Sequence, residues 1–199
     1  MENSIEKVKN KNSFSIVISI IAISILLNLA LSWFNNTIIK SPIFLDSIFT
    51  ILSAMILGPI AGITVGALTN AGMEFIYGFS GYYCPFAACN MLTGLIIGIM
   101  SRRRLFDKSI YLTLAVLLLT LANALMGSFI AFFVFKGYTN VQLDLIIDAL
   151  VNTGMSLSTA SFWSRIPTNL IDKILSVYLA FIMYYFYRKK RGEPLPSIF

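Results

Sequence analysis

The chain has 199 residues, of which 57% are hydrophobic and only 12% are charged, and its mean hydropathy is +0.81. Soluble domains have about 25% charged residues, so this composition excludes a soluble globular protein and indicates an integral membrane protein. The net charge is +6, and the absence of histidine removes the commonest metal ligand and the commonest general base.

Six apolar segments have lengths suited to membrane-crossing helices, which need about 20 residues. The first follows a charged segment, as in a signal peptide, but its apolar core is about 20 residues long and no small-residue cleavage site follows it, so it is expected to be retained. The sequence predicts an all-α membrane protein in which residues 1–199 form a single membrane domain. The predicted spans cover about residues 14–34, 41–57, 60–77, 85–100, 110–135 and 166–187.

The second and third spans form a helical hairpin that is interrupted once, at Gly58-Pro59. Glycine commonly ends a helix and proline commonly begins one, so a tight turn is predicted there. Gly58, Gly62 and Gly66 recur every four residues and therefore share one helix face. Small residues at this spacing let helix backbones approach closely, and we expect them to hold spans 2 and 3 together.

A long loop at 136–165 separates the last two spans. Its segment 141–151 carries apolar residues at helical spacing, which predicts a short amphipathic helix. This helix is expected to lie at the membrane interface or to fold back over the protein. The apolar residues are Leu143, Ile146, Ile147 and Leu150.

The distribution of cations predicts the orientation. With six spans, eleven cations fall on one side of the membrane and three on the other, so the positive-inside rule places both termini in the cytoplasm. The hairpin ends that carry Asp46 and Glu74 then face outward. The eleven are Lys7, Lys9, Lys11, Arg102, Arg103, Arg104, Lys108, Arg188, Lys189, Lys190 and Arg191, and the three are Lys40, Lys136 and Arg165.

Polar and aromatic residues near the outer ends of the spans are the candidate ligand-binding residues. A charge within lipid is costly and marks a functional candidate, and a pocket of rings, amides and a few charges suits a planar polar metabolite. Three alternatives stay open: interfacial charges, an aromatic belt, and internal pairing of Asp172 with Lys173 or with Asn123. The candidates are Asp46, Asn70, Glu74, Tyr77, Tyr83, Asn90, Trp163, Arg165, Asn169, Asp172 and Lys173.

Several chemistries lack their motifs in this sequence. There is no GxxxxGK[ST] loop for ATP, no HExxH and no GxSxG, so neither an ATPase nor a hydrolase is expected. The pair Cys84 and Cys89 without histidine is a poor zinc site, and no basic groove for nucleic acid is seen. We expect no catalytic residue, metal or cofactor.

Two strings resemble the substrate-binding S components of energy-coupling factor (ECF) transporters, closest to the riboflavin-type and related vitamin-type members. They are FLDSIFTILSAMILGPIAGITVGALTN at 44–70 and SRIPTNLIDKILSVYLAFIMYY at 164–185. Riboflavin-type members carry a lysine-asparagine pair where this chain has Thr69-Asn70, so riboflavin itself is not implied.

The resemblance implies a mechanism. An S component in a bacterial-type cell membrane binds a water-soluble vitamin or precursor near its outer face, docks on a transmembrane T component coupled to two ATP-binding subunits, and topples to release the ligand inside. Docking in the family uses a small-residue row in the first span, and the corresponding row here is Ala22, Leu26 and Ala30.

Two other functions are compatible with the residues alone. One is a multi-span membrane sensory module. The other is a small ion-coupled secondary transporter, although the inverted repeats that such transporters often show are not evident in this sequence.

Overall fold

The computed structural model describes residues 2–41, 43–139 and 141–195, with side chains from residue 14 onward except at 140–142. Over these residues the chain is helical and has no strand. Helix α1 continues into a π-helical turn at Asn35–Ile39, and a short 3-10 turn at Leu105–Asp107 precedes α5. The helices are α1 (Glu2–Phe34), α2 (Ile48–Leu57), α3 (Pro59–Ile76), α4 (Tyr83–Arg102), α5 (Ile110–Phe135), α6 (Val141–Asn152) and α7 (Leu157–Lys190).

Four segments of the described chain are long and apolar enough to cross a membrane: Phe14–Ile39, Tyr83–Arg102, Ile110–Phe135 and Leu157–Lys190. The two hairpin helices are not among them. Helix α2 has only 10 residues, and the 18 residues of α3 include the buried polar residues Asn70 and Glu74. Length and composition therefore support four of the six predicted spans.

The second predicted span begins too early, because helix α2 starts at Ile48 and not at residue 41. Backbone groups before it are bound by side chains of other elements. Asn35 Nδ2 donates to the carbonyl of Ile43 at 2.5 Å, and the N–H of Leu45 donates to Asp172 Oδ1 at 2.9 Å. Leu45 also has a φ of 52°, which a helix does not allow. Pro42 lies outside the described residues.

The last predicted span begins too late, because α7 starts at Leu157 and not at residue 166. Ser156 caps it by accepting a hydrogen bond from the N–H of Thr159 at 3.3 Å. Pro167, which falls near the start of the predicted span, lies inside the helix. Helix α7 thus extends far beyond the expected outer end of the last span. Residues in its N-terminal half line the cavity described below.

The glycine row of α3 packs mainly against α4, whereas the sequence predicted that it holds spans 2 and 3 together. A methyl group on Gly62 would lie 2.7 Å from Ala54 Cβ of α2 but also 2.8 Å from the Cα of Gly94 in α4. A methyl group on Gly66 would lie 2.6 Å from the backbone of Asn90. Glycines therefore hold α3 against both neighbours, with α4 in backbone contact along its length.

The hydrophobic core fills one end of the helix bundle. This end also carries the Gly58-Pro59 turn, where a methyl group on Gly58 would lie 3.1 Å from Arg102 Nε, and the Arg188–Asp107 ion pair at 2.6 Å. The predicted cationic loops therefore meet at one end, although the side chains of Lys7, Lys9 and Lys11 lie outside the described set. The core residues are Ile51, Ala54, Met55, Ile97, Met100, Phe106, Leu112, Ala115, Val116, Leu119, Val177, Ala180 and Phe181.

Candidate functional site

A cavity of about 510 Å³ opens at the end of the bundle opposite the hydrophobic core. It is enclosed by the ends of α1, α3, α4, α5 and α7, by the segment before α2 and by α6. Its volume lies within the range of roughly 300–1,000 Å³ that small-molecule sites occupy. Its walls combine amides, hydroxyls, charged groups and aromatic rings, and so can bind a molecule that is both ring-shaped and polar.

Eight of the eleven candidate residues line this cavity. They come from segments far apart in the sequence. They meet because the C-terminal part of α3 and the N-terminal parts of α4 and α7 lie on the same side of the bundle. The eight are Asp46, Asn70, Tyr77, Tyr83, Asn90, Arg165, Asn169 and Lys173.

Glu74 does not line the cavity and organises the loop between α3 and α4. Its carboxylate accepts hydrogen bonds from the backbone N–H groups of Gly81, Tyr83 (2.7 Å) and Cys84 (2.9 Å), and from the hydroxyl of Ser80 (3.1 Å). A carboxylate at a helix N-terminus satisfies free N–H groups and complements the helix dipole. Glu74 therefore fixes the start of α4, where the cavity-lining residues Tyr82 and Tyr83 lie.

Trp163 and Asp172 are also absent from the cavity wall. Trp163 is 53% exposed on the outer surface of α7, where its ring contacts Phe162 edge-on. Asp172 is completely buried and pairs with the Nζ of Lys173 at 2.7 Å while accepting the N–H of Leu45. The internal ion pair was one of the open alternatives, and Asn123 instead bonds Thr93.

Two hydrogen-bonded amide side chains, Asn70 and Asn90, form one polar wall of the cavity. Asn90 Nδ2 donates to Asn70 Oδ1 at 3.2 Å and to the carbonyl of Asp46 at 3.1 Å, and Asn70 Nδ2 donates to the carbonyl of Tyr83 at 3.1 Å. Two buried atoms on this wall have no hydrogen-bond partner among the described residues: Asn90 Oδ1 and Ser32 Oγ. Each buried polar atom without a partner destabilises the protein by about 1–3 kcal/mol. A ligand that formed hydrogen bonds with these two atoms would remove that penalty.

Aromatic rings form another wall. Tyr77 and Tyr83 stack with ring centroids 5.1 Å apart, and Tyr82 meets Tyr83 edge-on. Their hydroxyls reach the π-helical turn after α1: Asn36 donates to Tyr83 at 3.3 Å, and Thr37 lies 3.4 Å from the hydroxyl of Tyr77. These tyrosines therefore connect three elements around the cavity, which a simple interfacial belt would not do.

Helix α6 folds back over part of the cavity, which is one of the two placements that the sequence predicted for it. Leu143 is buried and lines the cavity, while Leu145 is 67% exposed. The segment before α6 is held by hydrogen bonds from the Tyr138 hydroxyl to Asp148 and from the Thr139 N–H to Asp144. The bond to Asp148 raises the pKa of Tyr138 above its ordinary value.

The remaining wall residues were not among the candidates. Most are small or neutral and resemble ordinary packing residues in the sequence. A usable signal was available on α5, where Asn123 and Gly127 lie four residues apart on one face of an otherwise apolar helix. The unpredicted residues are Ser32, Asn36, Lys40, Ser41, Phe44, Ser47, Met73, Tyr82, Phe86, Cys89, Asn123, Gly127, Thr139 and Leu143.

The small-residue row of α1 lies on the outside of the bundle. Ala22, Leu26 and Ala30 are exposed, with Leu26 at 64%. The opposite face of α1 is polar and faces inward, where Asn28 Nδ2 donates to Thr50 at 3.0 Å. The row is thus free to contact another protein or lipid.

A family model, "ECF transporter, substrate-specific component", matches residues 14–184. The chain belongs to this family. No curated protein and no solved structure gave a significant match. Members are substrate-binding membrane subunits and not enzymes, and the ATPases are separate partner proteins. Members in general work with T-component and ATPase partners. This chain is accordingly a multi-pass membrane subunit of the substrate-binding kind, as the sequence predicted.

Proposed function

We propose that this subunit captures a water-soluble vitamin or vitamin precursor at the outer face of the cell membrane and delivers it inward. A T component and two ATP-binding subunits supply the energy. The observation that carries the proposal is the polar, ring-lined cavity at one end of a chain that belongs to the substrate-specific components. Residues 1–199 act as one membrane domain with six spans.

The orientation follows from the charges at the two ends of the bundle. Arg102 and Arg188 lie at the end that holds the apolar core, where the Gly58-Pro59 turn and the Asp107 ion pair also lie. Cationic loops stay in the cytoplasm, so both termini are cytoplasmic and the cavity faces outward. This is the side on which an importer must collect its substrate.

The vitamin-type substrate follows from the two strings that resemble vitamin-type S components and from the walls of the cavity. A flat heterocycle can stack on Tyr77 and Tyr83 while its polar edge bonds Asn90 and Ser32. We assign docking on the T component to the exposed row of Ala22, Leu26 and Ala30, because small side chains allow close helix contact.

Reconstitution tests this function. The chain, its T component and the two ATPases are placed in proteoliposomes that contain ATP, and uptake from an external mixture of water-soluble vitamins and precursors is measured by mass spectrometry. We expect one compound to accumulate, and accumulation to need both this chain and ATP hydrolysis. A matched complex with a catalytically inactive ATPase is the control.

Two results would contradict the proposal. One is uptake that continues with the inactive ATPase or follows an imposed ion gradient, which would indicate a secondary transporter. The other is a chain that does not co-purify with any T component and transports none of the compounds.

A further inference from the structure

Arg165 is a buried cation without a buried anion beside it. Its side chain lies in the cavity wall and the residue is only 3% exposed. Among the described residues no carboxylate lies within ion-pair distance of it, whereas Lys173, two turns further along α7, has Asp172 at 2.7 Å. A charge taken out of water normally has a partner of opposite charge.

The hydrogen bonds of Arg165 use three of its five N–H donors and leave Nε and one donor of Nη2 unused among the described residues. Both Nη1 donors are used by Ser161, at 2.8 Å to the carbonyl and 2.7 Å to the hydroxyl, and one Nη2 donor is used by Thr139 at 2.7 Å. No described residue accepts from Nε. Nε and Nη2 lie on the same edge of the planar group, the edge that binds two oxygens of one anion.

Space is available beside that edge. Gly127 of α5 lies opposite, and a methyl group there would lie 3.4 Å from Arg165 Cδ and 3.5 Å from Nε, in ordinary contact. Because residue 127 is glycine, this volume belongs to the cavity. Gly127 and Arg165 both line the cavity, and the missing side chain at residue 127 leaves room beside Nε.

The charges of the wall agree with this reading. The cations are Lys40, Arg165 and Lys173, and the carboxylates are Asp46 in the wall and Asp172 bound to Lys173. Lys40 is exposed to solvent, and Asp144 of α6 attracts Arg165 electrostatically but lies beyond ion-pair distance. Arg165 is therefore the buried cation of this wall that has no direct ion pair among the described residues, and an anion bound there would supply one.

We propose that the ligand carries an anionic group, a carboxylate or a phosphate monoester, and that Arg165 binds two of its oxygens through Nε and Nη2. The proposal rests on the proposed function and specifies the substrate class of the same cavity. A ligand that also bears an N–H or O–H donor can bond the unpartnered atom Asn90 Oδ1, which can only accept a hydrogen bond.

The first test measures affinity for matched pairs of probes that differ in charge. The pairs are nicotinate with nicotinamide, 4-aminobenzoate with 4-aminobenzamide, and pyridoxine 5′-phosphate with pyridoxine. We expect at least one anionic member to bind at least tenfold more tightly than its neutral partner to the purified chain. A carboxylate preference and a phosphate preference are separate arms of the panel.

The second test identifies small molecules released from the purified chain by mass spectrometry and measures their affinity for variants. Arg165→Gln should lose at least tenfold in affinity, and Arg165→Lys should recover only part of it, because lysine lacks the two-donor edge. Lys136→Gln is the matched control, since it removes an exposed cation at the same end of the bundle.

Gly127→Ala keeps the charge of Arg165 and places a methyl group beside Nε, so it should weaken anion binding several-fold. It tests the same site without removing the buried cation, so the proposal can still be judged if Arg165→Gln does not fold. The proposal is overturned if the released molecule is neutral or cationic, or if anionic binding changes less than threefold in Arg165→Lys and Gly127→Ala. With no released molecule and no preference for any anionic probe, it is also overturned. ATP-driven uptake of a neutral vitamin would reject this inference and leave the proposed function intact.

Discussion

Replacing Gly62 by alanine tests whether backbone contact between α3 and α4 holds the cavity together. The new methyl group would lie 2.8 Å from the Cα and the carbonyl oxygen of Gly94 and 2.7 Å from Ala54 Cβ. Neither neighbour can rotate away, because these are backbone atoms and a side chain of one carbon. Overpacking of this kind costs about 1–3 kcal/mol.

Gly72→Ala is the matched control on the same helix. Its methyl group would meet Leu29 at 2.8 Å, but at the Cδ atoms of a flexible side chain that can adopt another rotamer. Both substitutions gain the same helix propensity, about 1 kcal/mol, so that gain cancels in the comparison. The difference between the two variants therefore measures the close packing of α3 at Gly62, against the backbone of α4 and against Ala54 of α2.

The structure also sets the expected effect on the cavity. Ordinary contact begins at 3.4 Å, so a methyl group at 2.8 Å needs about 0.6 Å of additional separation between α3 and α4. The Asn90–Asn70 hydrogen bond spans the same two helices at 3.2 Å. The same separation would lengthen it to about 3.8 Å, beyond the roughly 3.5 Å at which such a bond is lost.

Thermal unfolding in detergent, followed by far-ultraviolet circular dichroism, measures the stability difference. We expect Gly62→Ala to unfold roughly 5 °C below Gly72→Ala, since about 1 kcal/mol shifts Tm by about 2–4 °C in chains of this size. Gly62→Ala should also bind the released ligand more weakly than Gly72→Ala. Equal Tm values and equal affinities would refute the reasoning.

Three further substitutions compare the stability that buried and partly exposed polar contacts contribute, and all three use the same unfolding measurement. Asp172→Asn removes the carboxylate partner of the buried Lys173, whose Nζ keeps its bond to the Ser47 hydroxyl, and should cost about 3–5 kcal/mol; wild-type stability would show that the ion pair is dispensable. Asn28→Ala removes three hydrogen bonds between α1 and the hairpin and should cost about 2–3 kcal/mol, whereas an unchanged Tm would mean that α1 packs without them. Arg188→Gln breaks a bond to a partly exposed Asp107 and should cost less than about 1 kcal/mol; a larger loss would indicate a structural role for that pair.

Much of the cavity could be predicted because buried polar residues stand out in an apolar sequence. Asp46, Asn90 and Arg165 were identified by type and by their position near span ends, and all three line the cavity. Glu74 has the same signal but a different role. Its carboxylate meets backbone N–H groups, and a sequence does not show which side of a helix end the following loop will occupy.

The helix limits were less predictable around the cavity. Hydropathy does not distinguish the irregular segment at 43–47 from a helix, since its residues are mostly apolar. What prevents a helix there is a set of distant partners, Asn35 on one side and Asp172 on the other. Such contacts appear only once the chain is folded, which is why the second predicted span began too early.

The walls of the cavity differ in how much free energy their movement would cost. Moving α3 from α4 would separate backbones in direct contact at Gly62 and Gly66, and would open the apolar surface behind them. The segment 43–47 is instead held by individual hydrogen bonds, among them those from Asn35 and to Asp172, each of about 1 kcal/mol. Opening the cavity along 43–47 therefore needs a few hydrogen bonds to break, whereas opening it between α3 and α4 would disrupt the packing of the bundle.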